Sequence, residues 1–330
     1  MKVIIPLAGF GTRLRPHTYT RPKPLINVAG QAVLGHILDK FKGVDVEEFL
    51  IVYGYLGDQI MQYMECEYPH YRVRFIEQPE MLGQAHAIWL THEHVDGPVL
   101  VAFVDTIFET DLTELNGAAA DGVIYVKEVE DPRRFGVALV GPDGYITRFI
   151  EKPASMQDNL AVIGLYYLKD GPALMRACQE LMDRNIQTQG EFFLADAFNL
   201  MIEGGARFKV KIVEVWKDCG KPETVLETNR YLLAHGHDNS TQARTSSSCI
   251  IVPPVHIHPT AELVRSIIGP DVTIGAGCHI ESSIVRDSII DEGAQICNAL
   301  VEESLVGKQA QIEGRFRKFN LGDSTVVGFS

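Results

Sequence analysis

Two glycines, an arginine and a lysine follow an apolar run at the start of the chain. VIIPLA (3–8) leads into Gly9-Phe10-Gly11-Thr12-Arg13, and RPKPL adds Lys23. Glycines leave backbone amides bare, and bare amides beside fixed positive charge suit a phosphate chain. Arg13 and Lys23 would supply charge where an anionic leaving group develops. The segment is not the dinucleotide fingerprint, because position 14 is Leu14, and no Gly-Lys-Ser/Thr follows to make a P-loop. A tight strand-to-loop turn with solvated arginines explains the same spacing without chemistry.

Carboxylates come next. Asp105 ends AFVDTIF, and Asp218 follows an apolar run in VEVWKDCG. Alone, each reads as a capping aspartate. Together at one sheet end they can hold Mg²⁺, which bridges phosphates using few protein ligands. Glu151-Lys152-Pro153 follows YITRFI, and the proline stops that strand. A carboxylate beside an ammonium can grip a sugar hydroxyl and a phosphate, or can be a solvated pair. Gln84, in LGQAHAIWL, can donate and accept at once, as the O4/N3 edge of uracil or thymine requires. Glu191, in QGEFFLADAF, is either a sugar-hydroxyl acceptor or a first-turn acid complementing a helix dipole. His86, His92, His94, His256 and His258 show no metal-ligand spacing, and no Ser/His/Asp or Cys/His triad stands out.

These residues need a scaffold, and the pattern predicts one. Strand-like runs at 3–8, 49–55, 73–78 and 98–105 alternate with helical spacing at 31–41, 58–64 and 84–95. Such alternation implies an α/β fold with a parallel sheet covered on both faces, whose ligands sit at the carboxyl ends of strands. Gly9–Arg13 and Asp105 fall at such ends. After residue 120 the chain becomes β-rich, with helices expected at 173–184, 192–204 and 222–235 and one strand at FKVKIVEVW (208–216). DNSTQARTSSS (238–248) reads as a linker between a domain at 1–237 and another at 249–330. Beyond it, IVRDSIIDEGAQI and LVEESLVGKQAQI repeat, with apolar residues at Ile268, Ile274, Ile280, then Ile284, Ile290, Ile296, then Leu300, Val306, Ile312. A hexapeptide period predicts a short parallel β-helix with these residues inward.

Composition limits the function classes. The 330 residues have a net charge of −13, which argues against a nucleic-acid surface and makes the positive opening a local anion site. No apolar run is long enough to cross a bilayer, and no signal peptide is recognisable, so no membrane partner and a cytoplasmic location are expected. The six cysteines form no CxxC and read as free thiols.

Taken in order, PLAGFGTRLRPHT, RPKPL, LGQAHAI, VDTIF, FIEKP, GEFFLADAF and WKDCGKPETVLETN resemble the sugar-1-phosphate nucleotidylyltransferases over residues 1–236. VEESLVGKQAQIEG and FNLGDSTVVG resemble the tail of long-form glucose-1-phosphate thymidylyltransferases. The resemblance implies a Rossmann-like nucleotidyltransferase domain with a mixed sheet, followed by a short left-handed parallel β-helix. It implies transfer of a nucleotidyl group from dTTP or UTP to glucose 1-phosphate, with pyrophosphate leaving. By that resemblance Leu7, Ala8, Gly9, Gly11, Thr12 and Arg13 wrap the triphosphate, and Arg13 and Lys23 neutralise it. Gln84 reads the base and Gly83 gives it room, while Asp105 and Asp218 hold Mg²⁺. Lys152 binds the sugar phosphate, and Gly136, Glu151, Gly164 and Glu191 line the sugar pocket. Val104 stands where many members have Gly, and Lys221 where Thr is usual. Guanylyl transfer to mannose 1-phosphate is the nearest alternative. A non-catalytic sensor and a bifunctional acyltransferase are the others, and the short tail argues against acyl transfer. The β-helix is expected to support a homo-oligomer.

Overall fold

Val3, Ile4 and Ile5 have no polar side chain and are fully buried, so the strand they form must be covered on both faces. The structure, a computed structural model, describes residues 1–113, 120–242 and 248–315. Part of the expected linker, residues 243–247, and the motif FNLGDSTVVG lie outside the described residues. The chain forms two compact units, one of residues 1–27 and 31–228, the other of 28–30 and 229–330.

The chain begins with β1 (Lys2–Pro6), the two-residue strands β2 (Asn27–Val28) and β3 (Gln31–Ala32), and α1 (Val33–Asp39). β4 (Glu48–Tyr53), α2 (Gly57–Glu67), β5 (Val73–Glu77), α3 (Gln84–Trp89), β6 (Val99–Ala102) and β7 (Thr106–Glu109) follow. Then come β8 (Gly122–Glu128), β9 (Gly136–Val140), β10 (Ile146–Glu151), β11 (Leu160–Leu168), α4 (Gly171–Asp183), α5 (Leu194–Glu203), β12 (Phe208–Ile212), β13 (Val215–Asp218) and α6 (Pro222–Leu232). β1, β4, β5 and β6 pair in parallel, whereas β11 runs antiparallel to β6, β8 and β9. The sheet is therefore mixed, with nine strands among the described residues. Alternation along β1 assigns Ile4 to one core and Val3 and Ile5 to the other.

FKVKIVEVW is not the single strand its apolar pattern predicts. β12 pairs with β8 in the main sheet, and β13 pairs with β7 in a separate two-stranded sheet. Two partners of different direction require the break at Val213 and Glu214. The predicted helix over 84–95 also ends early: α3 stops at Trp89, and His92–His94 forms a separate 3₁₀ turn.

The second unit holds the left-handed parallel β-helix, with three sheets of four short strands each among the described residues. The register differs from the hexapeptide expectation at two places. Ile284 and Leu300 point outward, at 40% and 82% exposure, while Val285 and Val301 are buried. The inward series runs Ile268, Ile274, Ile280, Val285, Ile290, Ile296, Val301, Val306. Left-handed corner residues set this step: Arg265, Ser282 and Asn298 all have φ near +50°. After each corner a buried hydroxyl supports the next rung; Ser283 N donates to Ser266 Oγ at 3.1 Å, and Ala299 N to Ser283 Oγ at 3.1 Å.

The corrected register carries a stability prediction. Val285→Ala should lower the unfolding free energy by about 2 kcal/mol, and Ile284→Ala by less than about 0.5 kcal/mol. Urea titrations of the two variants check this, and the opposite order would restore the hexapeptide register.

Candidate active site

β1 and β6 lie side by side in parallel, so the loops leaving their carboxyl ends emerge together. After β1 the chain turns at Gly11, whose φ is +62°. A Cβ there would sit 2.9 Å from Lys23 Cβ, so a bare α-carbon lets the loop and Lys23 approach. The Thr18 hydroxyl donates to Gly11 O at 2.9 Å and fixes the turn. Lys23 Nζ lies 3.5 Å from Asp105 Oδ2.

Asp105 and Asp218 are brought to one place by backbone pairing. Thr106 pairs with Asp218 across β7 and β13, and Cys219 N donates to Asp105 O at 2.8 Å. Asp218 accepts from Gly220 N at 2.8 Å and from the Thr224 hydroxyl at 3.1 Å, which leaves its outer lone pairs for a ligand. Two hard carboxylates at a shared cavity, each keeping accessible oxygens, fit a divalent cation such as Mg²⁺. The Arg13 guanidinium reaches the same place, since a Cβ on Gly220 would sit 3.0 Å from its Nη2. Next to Asp218, burial pushes the Cys219 thiol up to about 12, so it remains a protonated thiol at neutral pH.

Two cavities flank these aspartates. The first, about 430 Å³, is lined by Leu7–Arg13, Lys23, Gln78, Gly83, Gln84, Asp105 and Glu191. The second, about 580 Å³, is lined by Arg13, Asp105, Gly136, Glu151, Lys152, Gly164, Asp218 and Lys221, among others. Arg13, Gln84, Phe103 and Asp105 line both, so the cavities share a wall. Every residue expected at the triphosphate, the base, the metal or the sugar pocket therefore lines one of these two cavities. Glu191, expected beside the sugar, lines the first cavity with Gln84 instead.

The second cavity is shaped by β9 and β10, where Gly136 pairs with Glu151. A Cβ on Gly136 would come within 2.9 Å of Glu151 Oε2. Lys152 takes the left-handed conformation at φ 47°, its N donates to Phe135 O, and its ammonium donates to Gln189 Oε1 at 3.1 Å. A non-glycine residue held there signals a side chain aimed by its surroundings.

Sequence reasoning missed Gln78, Gly220 and Thr224. Gln78 follows directly on β5, a parallel strand end, and that position was a legible signal. Gly220 and Thr224 matter through Arg13 and Asp218, contacts that no local pattern displays.

Residues 2–235 match the family model described as nucleotidyl transferase, and residues 251–329 match one described as GMPPB C-terminal domain. The chain belongs to the nucleotidyl transferase family, among the sugar-1-phosphate nucleotidyltransferases. It is 31% identical to the UTP–glucose-1-phosphate uridylyltransferase AglF of Haloferax volcanii, over 74% of this chain and 99% of that protein. It is 33% identical to the bifunctional protein GlmU of Methanococcus vannielii over 71% of this chain, spanning only 55% of that relative's length. A UDP-glucose pyrophosphorylase crystallised with UDP-glucose shares the fold, with a TM-score of 0.63 and 22% identity over 71% of this chain and 98% of that one.

Burial holds the Glu151 carboxyl above the ordinary carboxylate range; nearby Lys152 opposes this and Asp196 adds to it. A carboxyl raised in the folded state favours folding when protonated. That contribution is complete below the unfolded value of about 4.3 and is lost as pH rises through the raised native value. Glu151→Gln should therefore raise the thermal midpoint at pH 7.5, and the gain should vanish near pH 4. An equal gain at both pH values would show that desolvation of the charge is not its cause.

Proposed function

We propose that this protein transfers a nucleotidyl group from UTP or dTTP to glucose 1-phosphate and releases pyrophosphate. The observation that carries this is the wall shared by the two cavities, with Arg13 and Asp105 facing both. The nucleoside triphosphate occupies the first cavity along the Leu7–Arg13 backbone, with the base toward Gly83, Gln78 and Gln84. The sugar phosphate occupies the second cavity, with Lys152 on its phosphate and Glu151 on a hydroxyl. Asp105 and Asp218 would hold Mg²⁺, which supplies charge neutralisation at the phosphates.

An oxygen of the sugar phosphate attacks the α-phosphorus. The new P–O bond forms as the bond from the α-phosphorus to the bridging oxygen of the β-phosphate breaks, and that electron pair leaves with pyrophosphate. Arg13 and Lys23 meet the charge that develops on the leaving group. The attacking oxygen is already anionic, so no general base is required. Among the described residues lining the two cavities there is no serine, cysteine or histidine, so a covalent route would need a lysine, a threonine, a tyrosine or a carboxylate as its nucleophile. Positioning two anions in line supplies the remaining acceleration.

The uridylyltransferase named among the relatives supports the pyrimidine nucleotide and glucose. Guanine presents a comparable N–H beside a carbonyl, so guanylyl transfer to mannose 1-phosphate is the second reading. We propose that the reaction takes place in the cytoplasm. The exposed column Ile250, Ile284 and Leu300 on one face of the β-helix supports a homo-oligomer.

Pyrophosphate release from four NTPs crossed with several sugar 1-phosphates tests this reading. Turnover should be fastest with UTP or dTTP and glucose 1-phosphate. Preference for GTP with mannose 1-phosphate selects the second reading, and no release from any pairing rejects both. Arg13→Ala should lower kcat by roughly 10²–10³-fold while the KM for sugar phosphate changes far less. An unchanged rate would remove Arg13 from the mechanism.

A further inference from the structure

Gln78 and His86 form a buried polar pair at the base end of the first cavity, at 4% and 9% exposure. Gln78 Nε2 lies 3.3 Å from Gly83 O and 3.2 Å from His86 Nδ1. An amide nitrogen offers two protons and accepts nothing. His86 Nδ1 must therefore accept, and the ring proton resides on Nε2. Burial pushes the imidazole below its ordinary pKa, against a hydrogen bond to the Glu80 backbone and the Glu80 charge, which both pull upward. The ring is thus neutral near pH 7 and keeps the lone pair that Gln78 needs. Gly83 O and His86 Nδ1 take both amide protons, so the atom Gln78 has left for a ligand is Oε1, an acceptor.

We propose that His86 is a positioning residue for base selection, holding the Gln78 amide so that Oε1 faces the nucleobase. The inference rests on the reading that the first cavity takes the nucleotide. An acceptor there pairs with N3–H of uracil or thymine, or with N1–H of guanine. Against N1 of adenine or N3 of cytosine it meets lone pair with lone pair. Gly83 keeps the two side chains in this arrangement. Its φ is +118° and a Cβ on it would lie 2.6 Å from the Phe192 backbone, so only glycine fits there, and its carbonyl is held by Ala87 N, which donates to it at 3.2 Å. Without His86, one amide proton of Gln78 becomes free to face the base, and the acceptor pattern blurs.

The test compares kcat/KM for UTP, dTTP, GTP, ATP and CTP in the wild-type protein, His86→Leu and His86→Asn, using the sugar 1-phosphate that turns over fastest. The wild type should favour bases carrying a ring N–H. His86→Leu should reduce the preference over ATP and CTP by roughly tenfold or more, mainly through KM. His86→Asn should restore it, because Asn Oδ1 can stand where Nδ1 accepts. A merely structural role would lower all nucleotides alike, and that result overturns the inference. So does a wild-type preference retained in His86→Leu. Indifference of the wild type to the base sinks the base reading itself, and this inference with it.

Discussion

In the proposed reaction two phosphate anions meet inside a protein whose net charge is −13, and the cleft opposes that repulsion with local positive charge. Two unit charges 4 Å apart at an effective dielectric of 20 interact by about 4 kcal/mol, and each proposed substrate carries more than one charge. The neutralising charge is local. Arg13 and Lys23 stand at the first cavity, and Lys152 stands at the second. The Lys23–Asp105 contact keeps a cation and the carboxylate proposed for the metal in register, so the charge is in place before substrates arrive.

Backbone geometry does the placing. Gly11 lets the opening loop close on Lys23, β7 and β13 set Asp105 and Asp218 together, and the left-handed Lys152 turns its ammonium into the second cavity. None of these groups depends on a long flexible side chain alone. The parallel strands β1 and β6 supply two loop ends on one edge, and the antiparallel β11 extends the same sheet toward the second cavity. This is how an ordinary α/β core comes to hold two adjoining cavities lined by positive charge.

Much of this was legible in the sequence, for physical reasons. Buried parallel strands are continuous apolar runs, so β1, β4 and β6 announced themselves and so did the residues at their ends. FKVKIVEVW misled because an apolar run does not say which sheet it serves; its halves pair with β8 and β7 separately. Ile284-Val285 and Leu300-Val301 misled because both residues of each pair are apolar, and only the corner decides which turns inward. Gln78 escaped notice because its importance lies in Gly83 and His86, contacts created by a turn rather than by spacing. Arg13 and Gly220 are distant in sequence, and only the folded chain shows them meeting.

The central claim is a single direct displacement between two adjoining anion sites, with no covalent nucleotidyl-protein intermediate. The stereochemical course at the α-phosphorus tests it most directly, using a preferred nucleoside triphosphate with one α-oxygen replaced by sulfur in defined configuration. Inversion in the NDP-sugar product is the predicted result. Retention would mean two successive displacements through a protein nucleophile, and would contradict it.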